Sequence, residues 1–183
     1  VGLPYRVYGG LRFYERMENR DAIAYLRVAS QPADDLAFER VLNKPKRGIG
    51  NATLQLIHGK ARETGQPLYA AALQLCDGTE LSSRARNALS RAMTDFERWR
   101  LMAQAGDTDH VELTETILDE SGYTAMWQAD KTPEAPGRLE NLKELVRALG
   151  EFENLEGFLE HISLVMDNED NASEDQVTLM TLH

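Results

Sequence analysis

The stretch Lys44-Pro45-Lys46-Arg47-Gly48-Ile49-Gly50-Asn51 decides the fold, because it separates two helical patterns at residues 34–43 and 52–64. The proline ends the first pattern, since proline cannot continue a helix, and the asparagine is predicted to cap the second. Glycines on both sides of the isoleucine permit positive φ and let another backbone approach closely. Three cations therefore precede a tight turn that leads directly into a helix N-terminus.

This basic turn, residues 44–51, has the features of an anion site. A helix N-terminus presents free backbone N–H groups and the positive end of the helix dipole. Lysine and arginine alongside add the sequence-independent charge that duplex phosphates require. Two interpretations are open from these residues alone: a phosphate-binding turn, or a helix–turn–helix connection with solvated basic side chains.

Length and composition bound the class of protein. The chain has 183 residues, 42% hydrophobic and 27% charged, which suits one soluble globular domain or one domain with a fragment of another. Its single cysteine, Cys76, excludes an internal disulfide and is predicted to be a small core residue on an apolar helical face. The four histidines show no ligand spacing, so we expect no metal site. No apolar run approaches the roughly 20 residues of a membrane span, so we expect a cytoplasmic protein without a membrane partner.

Charge is distributed unevenly along the chain. Residues 1–62 hold 11 Lys/Arg against 6 Asp/Glu, a balance of +5, whereas residues 63–183 hold 9 against 24, a balance of −15. Such asymmetry indicates a part of the molecule that faces a polyanion, within a chain whose net charge of −10 argues against general nucleic-acid binding.

The rest of the chain reads as about eight helices between two β-like segments, residues 4–9 and 176–183. Residues 132–137 are predicted to form a loop and residues 168–175 an acidic linker. Because two lone strands cannot make an independent sheet, we predict a mainly α protein, a helical insertion with two short terminal strands left from its host sheet.

No catalytic site is legible. The sequence lacks the G-x-x-x-x-G-K-[ST] phosphate loop, and no nucleophile–base pair stands out. We therefore predict no catalytic residue and no cofactor for this chain.

Three segments resemble superfamily 1 DNA helicases of the UvrD/PcrA/Rep type. Residues 4–27, which begin Pro4-Tyr5-Arg6-Val7-Tyr8-Gly9-Gly10, look like the segment at the start of the helical region in that family's second RecA-like domain, 2A. The basic turn with Asn43 before it is similar to the Gly-Ile-Gly motif of the mobile inserted domain, 2B. The ending Val177-Thr178-Leu179-Met180-Thr181-Leu182-His183 is like the opening half of helicase motif V. The match departs at Asn19, where that family has an apolar residue.

The resemblance implies a division of the chain. Residues 1–29 would be an edge of 2A, residues 30–170 the helical 2B domain, and residues 171–183 the return to 2A. The two terminal strands would then be parallel neighbours in a RecA-like sheet, because an insertion leaves and re-enters its host at adjacent points.

The resemblance also implies DNA as the partner, both duplex and the single-strand/duplex junction. The residues that would grip duplex phosphates are Lys44, Lys46, Arg47, Gly48, Ile49, Gly50 and Thr53. Thr181 and His183 would lie near the single strand. Protein partners would come from the repair machinery.

By the same resemblance, ATP and Mg would be cofactors of a parent helicase that translocates 3′ to 5′ in DNA repair or replication, and this chain would have no activity alone.

An alternative from another class also fits the residues. In that alternative, the acidic C-terminal half docks a protein partner and the basic turn is only structural.

We predict that the isolated chain neither binds nor hydrolyses ATP, because both Walker motifs are absent from its sequence. Phosphate release should stay at the buffer blank with and without DNA. DNA-stimulated hydrolysis by the pure chain would show that the predicted boundaries are wrong.

Overall fold

The computed structural model describes residues 10–174, and the side chains of residues 10–167. Over this range the protein is mainly helical, which confirms the mainly α prediction. The predicted terminal strands, residues 4–9 and 176–183, lie outside the described residues. The ten helices of the described range are α1 Gly10–Glu15, α2 Met17–Ser30, α3 Asp35–Val41, α4 Asn51–Thr64, α5 Leu68–Asp77, α6 Ser83–Ala105, α7 His110–Glu120, α8 Tyr123–Ala129, α9 Ala135–Gly150 and α10 Leu155–Glu174.

Helix boundaries fall where side chains and glycines satisfy the free backbone groups of helix ends. The Asp34 carboxylate accepts a hydrogen bond from the Ala37 amide at the start of α3, at 3.1 Å. Asp109 caps α7 in the same way. At the end of α4, Gly65 adopts the left-handed conformation with φ 66°, which closes the helix without a Cβ clash.

Two predicted breaks are wrong. The loop predicted over residues 132–137 ends earlier, because α9 already begins at Ala135. Pro136 lies in the first turn of α9, where its missing N–H has no intrahelical partner to lose. The linker predicted over residues 168–175 is helical through Glu174. Its residues are polar, but none of them is a glycine or proline that would stop a helix.

An additional short helix, α1, precedes α2, and the chain breaks between them at Arg16. The Asn19 side chain is buried at this break and donates from Nδ2 to the Phe13 carbonyl at 2.7 Å. The departure from the family pattern at Asn19 therefore adds a second hydrogen bond to the Phe13 carbonyl, which also accepts from the Arg16 amide at 3.4 Å.

The central helix of the fold is α2. Ten of its 14 residues are buried, and it contacts α1, α3, α6, α7, α9 and α10. Alanines at 22, 24 and 29 let these neighbours approach closely. A helix that lies almost wholly in the part predicted to be the 2A edge, residues 1–29, therefore also organises the core of the part predicted to be 2B.

An aromatic cluster joins α2 to α3, α5 and α6, with Phe96 of α6 at its centre. The Phe96 ring lies 5.9 Å from Tyr25, 5.9 Å from Phe38, 6.5 Å from Tyr69 and 5.4 Å from Trp99. Aromatic pairs at these separations add to the stabilisation from burial alone.

We predict that Phe96→Ala lowers the free energy of unfolding by about 3–5 kcal/mol, because it removes a buried ring and leaves a cavity. Leu101→Ala on the same helix is the control, since Leu101 is 54% exposed; it should change the free energy by less than about 0.5 kcal/mol. Urea unfolding followed by circular dichroism measures both. Equal losses for the two variants would contradict a core centred on Phe96.

Candidate nucleic-acid interface

The basic turn connects α3 to α4, and Gly50 rather than Asn51 is the N-cap of α4. The prediction that Asn51 caps this helix is therefore wrong, because Asn51 is already the first helical residue. Glycine has no side chain to accept from the first-turn amides, and no other side chain of the described range caps them. The first turn of α4 thus keeps free N–H groups at its N-terminus, which is the condition for binding an anion.

The backbone of the turn has a defined conformation. Gly48 has φ 78°, which favours glycine. The Asn43 side chain accepts from two backbone amides through Oδ1, that of Arg47 at 2.7 Å and that of Ile49 at 3.3 Å. The Ile49 side chain is 3% exposed and anchors the turn in the core. A Cβ added to Gly48 or Gly50 would meet nothing within 4 Å, so the space above these glycines is open.

The Arg47 side chain turns inward. Its Nη1 donates to the carbonyls of Val41, Leu42 and Pro45 at 2.9, 3.1 and 3.3 Å. Its Nη2 donates to the Tyr25 hydroxyl and, at 3.1 Å, to the Ser121 carbonyl. One guanidinium therefore links the end of α3, the turn, α2 and the connection between α7 and α8.

The Tyr25 hydroxyl completes this arrangement. It accepts from Arg47 and donates to the Lys44 carbonyl at 2.5 Å. Burial raises the pKa of Tyr25, so its phenol stays protonated and keeps its donor. Together with the guanidinium, it satisfies backbone carbonyls that the turn removes from helical hydrogen bonding.

Lys44 also turns inward. Its Nζ lies 2.8 Å from Oδ2 of Asp21, a carboxylate of α2 that is fully buried. The Nε of Arg40 lies 2.7 Å from the other oxygen, Oδ1. The Tyr123 hydroxyl donates to Oδ2 at 2.9 Å. Burial raises the pKa of Tyr123, so that phenol also remains a donor.

The structure brings the predicted duplex residues together and divides them into two groups. Lys46, Gly48 and Gly50 are exposed. The other four are partly or fully buried: Lys44, Arg47, Ile49 and Thr53. The predicted single-strand residues Thr181 and His183 lie outside the described residues.

Sequence reasoning missed the residues that hold the turn from beneath. Asp21 and Tyr25 lie on α2, and Ser121 contributes only its backbone carbonyl. The available signal was Asp21, an acid at the head of the apolar run Ala22-Ile23-Ala24. Asp21 also lies four residues before Tyr25, so the two share one face of the helix, and a carboxylate on a buried face needs partners.

The described range contains neither a metal-ligand cluster nor a membrane-spanning helix. No group of three or more His, Cys, Asp or Glu side chains there could hold a metal ion. None of the helices described is both long and apolar enough to cross a membrane.

Comparison with known proteins identifies the family. A family model described as the UvrD-like helicase C-terminal domain matches residues 1–183, the whole chain. The chain belongs to this family.

Curated relatives of this UvrD-like chain are DNA helicases by name. The probable DNA helicase II homolog of Rickettsia conorii (strain ATCC VR-613 / Malish 7) is 42% identical over 185 residues, covering 99% of this chain and 28% of the relative. DNA helicase II of Escherichia coli (strain K12) is 38% identical over 194 residues, covering 100% of this chain and 26% of the relative. The ATP-dependent DNA helicase PcrA of Bacillus subtilis (strain 168) is 37% identical over 196 residues, also covering 100% and 26%. The chain thus spans little more than a quarter of the length of these relatives.

We predict that Arg47→Met destabilises this UvrD-like domain by about 3 kcal/mol, because several carbonyls and the Tyr25 hydroxyl lose their donor. The matched control is Arg62→Met, which removes the same group from an exposed position in the last turn of α4. It should change the free energy of unfolding by less than about 0.5 kcal/mol. Urea midpoints at pH 7 measure both, and similar midpoints would mean that the Arg47 contacts are not stabilising.

Proposed function

We propose that this chain is the duplex-engaging, regulatory 2B region, with edges of 2A, of an ATP-dependent 3′–5′ DNA helicase of the UvrD type that acts in DNA repair or replication. The family match and the helicase names of the relatives support this reading. ATP and Mg would bind in other parts of the parent protein. The proposed division remains residues 1–29 for the 2A edge, 30–170 for 2B and 171–183 for the return to 2A.

One observation carries the proposal: Gly50, the N-cap of α4 without a side-chain cap, follows exposed Lys46 by four residues within the same turn. Helix N-termini bind phosphate through free amides and the positive end of the dipole. Lys46 adds a mobile positive charge within the same turn. Open space over Gly48 and Gly50 would let a phosphate approach the backbone.

The inward residues have a defined role in this proposal. Arg47, Ile49 and Asn43 fix the path of the turn. In the proposal, the first-turn amides of α4 and the Lys46 side chain would contact the same stretch of phosphate backbone. A preformed site of this kind loses less conformational freedom on binding. All the proposed contacts are to the DNA backbone, so the turn would engage duplexes without regard to sequence.

The single-strand role proposed for Thr181 and His183, and partners from the repair machinery, rest on the family resemblance. Regulation of unwinding by movement of 2B relative to 2A has the same basis. These parts of the proposal are independent of the contacts within the turn.

A second candidate function is a protein-interaction module with an acidic docking face. It is favoured by the inward direction of Lys44 and Arg47, which leaves a turn that is structural for the most part. It is also favoured by the charge balance of −15 over residues 63–183.

We predict that Lys46→Glu in the parent protein weakens binding to a blunt duplex and leaves single-strand binding unchanged. The reason is that the turn itself, residues 44–51, contains no aromatic side chain on which unpaired bases could stack. Loss of one phosphate contact should flatten the slope of log affinity against log salt by about 0.9. Fluorescence anisotropy over a range of salt concentrations measures the slope.

The matched control is Arg62→Glu, which changes the charge by the same amount at the far end of α4. That position is about 18 Å from Gly50 along the helix, beyond the screening length at physiological salt. If Lys46→Glu leaves duplex affinity and slope at the wild-type values, the turn does not bind DNA and the interaction module becomes the better account.

A further inference from the structure

We propose that Asp21 is a positioning residue that holds Lys44 away from the duplex and so limits how many phosphates the basic turn can contact. The inference rests on the proposed duplex-binding function of the turn. It assigns to α2, the central core helix, a direct influence on the affinity for DNA.

The Asp21 carboxylate is buried among three donors. Asp21 is 0% exposed and each of its oxygens has a cationic partner: Oδ1 has Arg40 at 2.7 Å and Oδ2 has Lys44 at 2.8 Å. The Tyr123 hydroxyl adds a third hydrogen bond at 2.9 Å. Asp21 is therefore bound from three directions and has no solvent contact of its own.

The two cations that pair with Asp21 are both partly exposed. The side chains of Arg40 and Lys44 are 31% and 32% exposed, so both lie at the rim of the buried carboxylate. Lys44 is two residues before Lys46 in the same turn. Without the carboxylate, its flexible stem could carry Nζ outward to the surface that Lys46 already occupies.

The neighbouring charged groups of the described range, Arg47 and Glu18, have partners other than Asp21 and Lys44. Arg47 is engaged by backbone carbonyls and by Tyr25. The nearby Glu18 carboxylate is buried and accepts instead from Asn141 Nδ2 at 2.7 Å. Lys44 is therefore the only cation of the turn itself that Asp21 holds among the residues described.

The free energies of the two possible contacts of Lys44 favour the one with Asp21. An ion pair with a fully buried partner is poorly screened, whereas a lysine–phosphate contact on the surface is screened by salt and water. Moving Lys44 to a phosphate would also leave Asp21 with less compensation in the core, which is unfavourable. In the native protein Lys44 therefore stays with Asp21, and Lys46 alone among the lysines of the turn meets DNA.

The test compares the salt dependence of duplex binding for three variants of the parent protein: Lys44→Met, Asp21→Asn and the double variant. Lys44→Met should keep the wild-type slope, because Lys44 does not contact DNA. Asp21→Asn keeps the size of the side chain and an acceptor for Tyr123 but removes the charge that holds Lys44. It should steepen the slope by about 0.9 and tighten binding on the order of threefold at low salt. The double variant should return to the wild-type slope, since the released lysine is gone.

The outcomes separate this proposal from the proposed function. If Lys44→Met alone flattens the slope by about 0.9, Lys44 already binds DNA and the proposal is overturned. A wild-type slope for a folded Asp21→Asn variant overturns it as well. If thermal melting shows that Asp21→Asn is unfolded, the Lys44→Met variant provides the test. A wild-type salt slope for Lys44→Met supports the proposal, and a flattened slope refutes it. Lys46→Glu in the same series tests duplex binding by the turn itself. If Lys46→Glu weakens duplex binding while Lys44→Met flattens the slope, only the role of Asp21 is rejected.

Discussion

The turn between α3 and α4 depends on one guanidinium bound to backbone carbonyls. A chain that leaves one helix and enters another within nine residues leaves several carbonyls without helical partners. Arg47 has five donors in a rigid fork, and it reaches carbonyls in α3, the turn and the α7–α8 connection together. The position of the α4 N-terminus, and with it the candidate anion site, follows from this contact.

The same turn rests on a charged layer within the core. Asp21 and Tyr25 both lie on α2, one turn apart, and they bind the side chain and the carbonyl of Lys44 respectively. Buried polar networks of this kind stabilise only when nearly every member is satisfied, so they restrict the chain to one arrangement. The core therefore fixes the direction of the turn as well as its place.

Helical periodicity was enough to predict most of the fold, and the Gly-Ile-Gly stretch was enough to predict the location of the candidate site. The direction of each cation was not predictable, because a sequence shows that Lys44, Lys46 and Arg47 are charged but not which acceptors lie beneath them. Those acceptors come from α2 and from residue 121, far away in the chain. Composition also misled at residues 168–174, where polar residues suggested a linker, although no glycine or proline interrupts the helix through Glu174. The terminal strands stay a prediction.

The acceptors of Arg47 have a consequence for how this region can change over evolution. Four of the five hydrogen bonds of its guanidinium go to main-chain oxygens, and every amino acid carries one. Substitutions at positions 41, 42, 45 and 121 would keep the acceptor wherever the backbone path is kept. Among these hydrogen bonds, only those of Arg47 and Tyr25 require a particular side chain. Asn43 and Ile49 still hold the turn through their own side chains, by hydrogen bonding and by burial. Covariation between side chains would not reveal these contacts, since most of the acceptors are backbone carbonyls.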